Sequence, residues 1–253
     1  DKTRYACDGI KNQRIDIPYL KNKKGFEKIS WEEANQIIVK KINETSSDKI
    51  AGFTGDLSNM ETLYIAKEFF NKTIKSKYLD SRIDNTYVNT SKKENYIFNS
   101  TINGIEDSDL IVLIGTNPRY EATILNLRIR KSYLKNNIKI YSIGDVGDLT
   151  YPYEILPNNT KVIKEIIEGN HNLSSKIENS KKPLIIIGNS VLNSKSGKYV
   201  FEEMKKYLTS RNKISDKWNS LNILSKDAST VGSNDLNIIS STDSQNVVLT
   251  KTL

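Results

Sequence analysis

Asp109-Leu110-Ile111-Val112-Leu113-Ile114-Gly115-Thr116-Asn117-Pro118-Arg119-Tyr120-Glu121-Ala122 is the stretch on which the fold turns. Its uninterrupted aliphatic run predicts a strand buried on both faces of a parallel sheet. The turn 115–118 follows, and then a helix of roughly 15 residues through Arg119, Ala122, Leu125, Ile129 and Tyr133, closed by Asn136-Asn137. The same grammar recurs downstream. A strand over 139–143 ends in Gly144-Asp145-Val146-Gly147-Asp148; a looser Tyr and Pro segment fills 151–157; a short helix opens at Thr160 through Val162, Ile163, Ile166 and Ile167. Lys182-Pro183 introduces a strand over 184–187 that exits through Gly188-Asn189-Ser190, with a helix over 197–208 after it.

Upstream the pattern holds in weaker form. Ser30-Trp31-Glu32-Glu33 has capping-box spacing, so a helix with Ala34, Ile37, Ile38 and Ile42 on one face is expected to run from there to about Glu44. A strand over 49–53 enters Gly52-Phe53-Thr54-Gly55-Asp56, and a second helix begins near Ser58 with Leu63, Ile65, Ala66, Phe69 and Phe70. Residues 1–28 show no periodicity and carry Pro18 and Gly25, which reads as an extended arm. Strands alternating with helices give an α/β class: a mainly parallel sheet with helices on both faces. Gly52, Gly115, Gly144 and Gly188 mark strand exits, the ends where open α/β sheets bind ligands. Glycine at such a turn also simply permits the sharp exit, and both readings stand.

Composition excludes several classes. The 253 residues carry 38 Lys+Arg against 30 Asp+Glu, a net charge of +8, but 31 of the cations are Lys and 7 are Arg. Clusters such as Lys21, Lys23, Lys24 and Lys205, Lys206 are short, and no aromatic and basic stripe accompanies them, so the excess reads as a solvated surface rather than a nucleic-acid or lipid footprint. A polyanion-binding module is the alternative that rests on net charge alone. The apolar runs at 110–114 and 184–187 fall far below the about 20 residues of a transmembrane helix. The start, Asp1-Lys2-Thr3-Arg4, lacks the marks of a signal peptide and reads as an internal fragment or processed product. A single cysteine, Cys7, cannot by itself hold zinc or an iron-sulfur cluster.

The chain has no Walker A pattern, no Gly-x-Gly-x-x-Gly after a strand and no His-Glu-x-x-His. Its one histidine, His171, lies in a polar loop and reads as an exposed, inert imidazole. Asp56, Asp145 and Asp148 at strand exits offer oxygen ligands for Mg²⁺, or caps for the next turn, the commoner use. Asn117 and the free N–H groups of the helix after it could receive a phosphate or pterin oxygen. Glu121 and Arg128, seven apart, share a helix face, with Arg130 about 200° round from Arg128; ion pairing within the domain or between subunits is the structural reading.

Several segments together resemble one family. They are Asp1-Lys2-Thr3-Arg4 with Asp8-Gly9-Ile10-Lys11-Asn12-Gln13-Arg14, then Ile29-Ser30-Trp31-Glu32-Glu33-Ala34, then Thr101-Ile102-Asn103-Gly104-Ile105-Glu106-Asp107-Ser108-Asp109. Leu113-Ile114-Gly115-Thr116-Asn117-Pro118-Arg119-Tyr120-Glu121-Ala122, Asn126-Leu127-Arg128-Ile129-Arg130-Lys131 and Asp148-Leu149-Thr150-Tyr151 continue the series. The ordered match is similar to the large iron-sulfur subunit of respiratory complex I, the NADH-quinone oxidoreductase of mitochondria and bacteria. The resemblance implies a molybdopterin-oxidoreductase-like fold of the formate dehydrogenase and DMSO reductase type, over 29–253 and incomplete at its carboxyl end, with 1–28 continuing from a missing iron-sulfur domain. It implies a non-catalytic role in NADH-to-quinone electron transfer, no cofactor in this chain and iron-sulfur clusters in the part that precedes it. Gly115, Thr116, Asn117, Pro118, Arg119, Gly188 and Asn189 become vestigial cofactor-binding candidates. Arg4, Asp8, Arg14, Glu121, Arg128 and Arg130 become structural or interface candidates. The implied partners are the other subunits of the peripheral arm, with no nucleic acid and no membrane span. The implied place is the inner membrane's matrix side in mitochondria, or the cytoplasmic side in bacteria. An active molybdopterin enzyme using 115–119 and 188–190 as a nucleotide cradle is the alternative.

Overall fold

A computed structural model describes residues 9, 14–55, 57–82, 84 and 86–239. The expectations for Arg4, Cys7, Asp8 and Asp56, and for a further strand at Val247-Val248-Leu249, fall outside the described residues. Before the main sheet the chain forms small pieces. Strands β1 (Tyr19–Asn22) and β2 (Gly25–Lys28) pair as an exposed antiparallel hairpin within the stretch read as an arm. Helix α1 (Trp31–Glu44) starts where the capping box predicts, the Ser30 hydroxyl accepting from the Glu33 N–H at 3.1 Å. Strand β3 (Gly52–Phe53), helix α2 (Met60–Glu68) and strand β4 (Leu79–Asp80) follow, β3 and β4 forming a two-stranded parallel sheet of their own.

The centre is a five-stranded sheet. Its strands are β5 (Leu110–Ile114), β6 (Lys139–Ile143), β7 (Glu154–Leu156), β8 (Pro183–Gly188) and β9 (Leu221–Leu224), all parallel, in the order β7-β6-β5-β8-β9. Strand order reverses between β5 and β8, which makes their carboxyl ends the switch point of the sheet. The connecting helices are α3 (Pro118–Glu121), α4 (Thr123–Asn136), α5 (Thr160–Ile167), α6 (Asn172–Asn179), α7 (Asn189–Leu192), α8 (Gly197–Ser210) and α9 (Thr230–Asp235).

Alternation along β5 explains why five aliphatic residues stand in a row. Val112 and Ile114 pack on one face with Val162, Ile163, Leu173, Val200 and Phe201, from α5, α6 and α8. Ile111 and Leu113 pack on the other with Leu125 and Ile129 of α4. Leu184, Ile185, Ile186 and Ile187 in β8 are fully buried in the same alternating way. Burial is worth about 1.5–3 kcal/mol for each such side chain, so the central pair of strands carries much of the hydrophobic stabilisation.

Several elements differ from the sequence reading, four of them in or beside the sheets. The predicted strand over 49–53 shortens to Gly52–Phe53 and joins β4 rather than the main sheet. The helix after β5 is two helices, because Ala122 takes φ −150 and ψ 70. The loose segment over 151–157 contains edge strand β7, whose first two residues are exposed and so leave no hydrophobic signature. Strand β9 has a buried Asn222 in its interior, satisfied by the Ser100 backbone N–H at 2.8 Å and the Ser100 hydroxyl at 3.1 Å. The segment before the helical turn at 103–107 covers that edge, Ile223 donating its N–H to the Ile97 carbonyl.

Candidate functional site

The exits of β5 and β8 meet at the switch point. Gly115 turns with φ +61, and a Cβ there would lie 2.6 Å from the Val191 Cβ. A Cβ on Gly188 would lie 2.5 Å from the Thr116 Cβ. The two glycines are therefore required by close approach of the turns to each other, not by space kept for a ligand. The Ser190 hydroxyl closes the seam, donating to the Gly115 carbonyl at 2.6 Å.

The polar groups of 116–119 are engaged as well. The Thr116 hydroxyl, 3% exposed, donates to Glu121 Oε2 at 2.6 Å, and the Asn117 N–H donates to Glu121 Oε1 at 3.2 Å. Asn117 Oδ1 caps α3 by accepting from the Arg119 N–H at 3.0 Å, and its Nδ2 donates to the Val146 carbonyl at 2.7 Å. An anion bound at this turn would use the same donors. A carboxylate from the chain's own next turn already meets them.

The neighbouring exit, after β6, is tied to this one. Arg119 Nη1 bonds Asp148 Oδ2 at 2.6 Å and the Asp148 carbonyl at 2.7 Å. The Thr150 N–H and then the Arg119 guanidinium hold the Asp148 carboxyl below the usual carboxylate range. Asp145 is likewise lowered, by the Gly147 N–H and the Tyr153 hydroxyl. Both aspartates thus cap turns, the commoner of the two uses open to them. Among the described residues no group of three His, Cys, Asp or Glu is placed to hold a metal ion.

The remaining candidates fall in separate places. Arg14 is exposed. The break at Ala122 parts Glu121 from Arg128, so the predicted shared face does not form; Arg128 instead reaches Glu106 at 2.6 Å, with Lys131 at 2.9 Å on the same carboxylate. Those two cations lower the Glu106 pKa, Lys131 first. Arg130 Nε donates to the Thr150 carbonyl at 3.2 Å. Asn189 joins Asp84 at 3.3 Å and Thr86 at 3.4 Å. His171 is half-buried and serves the fold: its Nδ1 accepts from the Leu173 N–H at 3.1 Å and so caps α6. Sequence reasoning missed the groups beside Gly115 that line a cavity of about 300 Å³, among them Asn158, Thr160, Ser194 and Ser196. Its hydroxyls bond one another, Thr160 with Ser196 and Ser194 with Ser196, each at 3.1 Å. Small polar residues in a Ser- and Asn-rich chain carry no motif that marks them.

A family model described as molybdopterin oxidoreductase matches residues 14–251. The chain belongs to that family. Among curated relatives, the NADH-ubiquinone oxidoreductase 75 kDa subunit of Reclinomonas americana is 40% identical over 94% of this chain and 36% of its own length. The mitochondrial NADH-ubiquinone oxidoreductase 78 kDa subunit of Candida albicans is 37% identical over 93% of this chain and 33% of its own. A third, NADH dehydrogenase [ubiquinone] iron-sulfur protein 1 of Solanum tuberosum, is 32% identical over 96% of this chain and 33% of its own. These relatives bear out the resemblance read from the sequence. This chain spans about a third of the length of the curated relatives it matches.

The family implies a pterin-bound metal over the strand ends, and the donors present do not fit one. The turn 115–117 meets Glu121, the two glycines are filled by Ser190, Val191 and Thr116, and the cavity beside them offers hydroxyls and amides without a charged group.

Proposed function

We propose that this chain is the molybdopterin-oxidoreductase-like part of a complex I large subunit, and that it serves NADH-to-quinone electron transfer as a scaffold with no catalytic centre of its own. The observation that carries the reading is Glu121, whose carboxylate meets the two donors that a cofactor phosphate would need. The names of the relatives support the electron-transfer assignment, and the iron-sulfur character that one of those names states belongs, in this reading, to another part of the subunit. Its partners are then the other subunits of the peripheral arm. The place is the matrix or cytoplasmic side of the membrane; no helix among the described residues is long and apolar enough to cross one.

The test is assembly against turnover. Deleting the chain should lower the amount of assembled NADH–quinone oxidoreductase. Glu121→Gln should leave turnover per assembled complex within about twofold of the parent, a difference below about 0.5 kcal/mol in barrier height by the usual conversion. A loss of turnover at unchanged assembly would remove the scaffold reading and favour an active pterin enzyme.

A further inference from the structure

We infer that the outer face of α4 docks an acidic amphipathic helix of a neighbouring chain. A helix that covers one side of a sheet ordinarily turns polar residues to water. Helix α4 buries Leu125, Asn126, Ile129 and Ser132, yet Ile124 is 64% exposed, Leu127 53% and Leu134 65%. With Lys131 they stand at spacings of three, four and three, the heptad stripe of a helix that packs against another helix. Lys131 is held by Glu106 through its ammonium, which leaves its methylenes in the stripe. A groove lined by Leu127, Arg130, Lys131, Leu134 and Lys135 runs along this face.

Charge specifies the partner. Thr123–Asn136 contains Arg128, Arg130, Lys131 and Lys135 and no acidic residue. Glu106 opposes two of the four cations, whereas no carboxylate among the described residues pairs with Arg130 or Lys135, which flank the stripe on either side. Carboxylates at the flanking positions of an incoming helix would meet them. A second copy of α4 would set like charges against each other, and a lipid surface would call for a broader apolar face than three aliphatic residues. The stripe lies outside the strand-end turn and needs the scaffold reading only in that a neighbouring chain must exist.

The test uses the full-length protein in the cells that make it, with a benzophenone photo-cross-linker at Leu127. The expected product joins Leu127 to a peptide of another chain that carries Asp or Glu beside apolar residues at three and four spacing. The Arg130→Glu, Lys135→Glu variant should lower its yield about fivefold, as the loss of two flanking exposed pairs would. A second variant, Lys139→Glu, lies off the stripe and should leave the yield unchanged. A cross-link to this same chain, to lipid or to nucleic acid overturns the inference; so does a yield indifferent to the charge reversal, or no cross-link at all. Pterin found at the strand ends would overturn the scaffold reading and leave an acidic-helix cross-link standing, so the two failures are distinguishable.

Discussion

Replacing Glu121 by Ala tests the internal-anion turn directly. The buried Thr116 hydroxyl loses the acceptor it holds at 2.6 Å, which costs about 1–3 kcal/mol for a buried donor left without a partner. The Asn117 N–H, at 3.2 Å and half-buried, is replaced in part by water and adds about 0–1 kcal/mol. The sum is about 1–4 kcal/mol for Glu121→Ala, centred near 2–3, and about 1 kcal/mol for Glu121→Gln, whose amide keeps one acceptor. At roughly 2–4 °C per kcal/mol for a chain of this size, the alanine variant should melt about 5–10 °C lower in calorimetry. Its freed donors should now take an outside anion, so millimolar inorganic phosphate should raise the melting temperature of the variant and leave that of the parent unmoved. An alanine variant within about 1 °C of the parent, or a parent stabilised by phosphate to the same degree, would refute the reasoning.

Other substitutions test the same physics elsewhere. Gly188→Ala presses a methyl against Thr116 and should lower the urea midpoint by the equivalent of about 1–3 kcal/mol, whereas Gly147→Ala, at φ +74 with open space around it, should cost only about 1 kcal/mol. A larger loss at Gly147 would reverse the packing argument. His171→Asn keeps the cap of α6 and His171→Ala removes it, so the alanine variant alone should lose about 1 kcal/mol in chemical denaturation. Asp109 gives a pH dependence. Burial pushes its carboxyl up, but the Ser180 hydroxyl and the Lys181 and Lys182 N–H groups outweigh it and hold the group below its ordinary value. The folded state then binds the proton less tightly than the unfolded one, so this stability is present above about pH 4 and is lost as pH falls through the lowered value. Urea midpoints should decline on that acid side, and Asp109→Asn should flatten the decline; an unchanged slope would contradict the assignment.

The central strand was legible because burial on both faces leaves only aliphatic residues over 110–114, and both 110–114 and 139–143 appear with their predicted bounds. The edges were not. Strand β7 is exposed at two of three positions, and β9 buries an asparagine that only a distant segment, at Ser100, can satisfy. Capping was readable where it is local, as at Ser30, and unreadable where the usual residue type is replaced, as at His171. The turn at 115–119 reads from the sequence as one of four strand exits, and only the strand order puts it at the sheet's switch point. Its closure by Glu121 could not be foreseen, because the break at Ala122 that swings Glu121 back onto Thr116 depends on φ and ψ that no periodicity encodes.

Pterin and molybdenum content of the purified full-length protein tests the central claim most directly. Acid oxidation of the extract yields a fluorescent pterin if one is bound, and mass spectrometry counts the metal in the same sample. A scaffold with its strand-end donors already met by Glu121 should show neither above trace. One pterin per chain, with or without its metal, would contradict it.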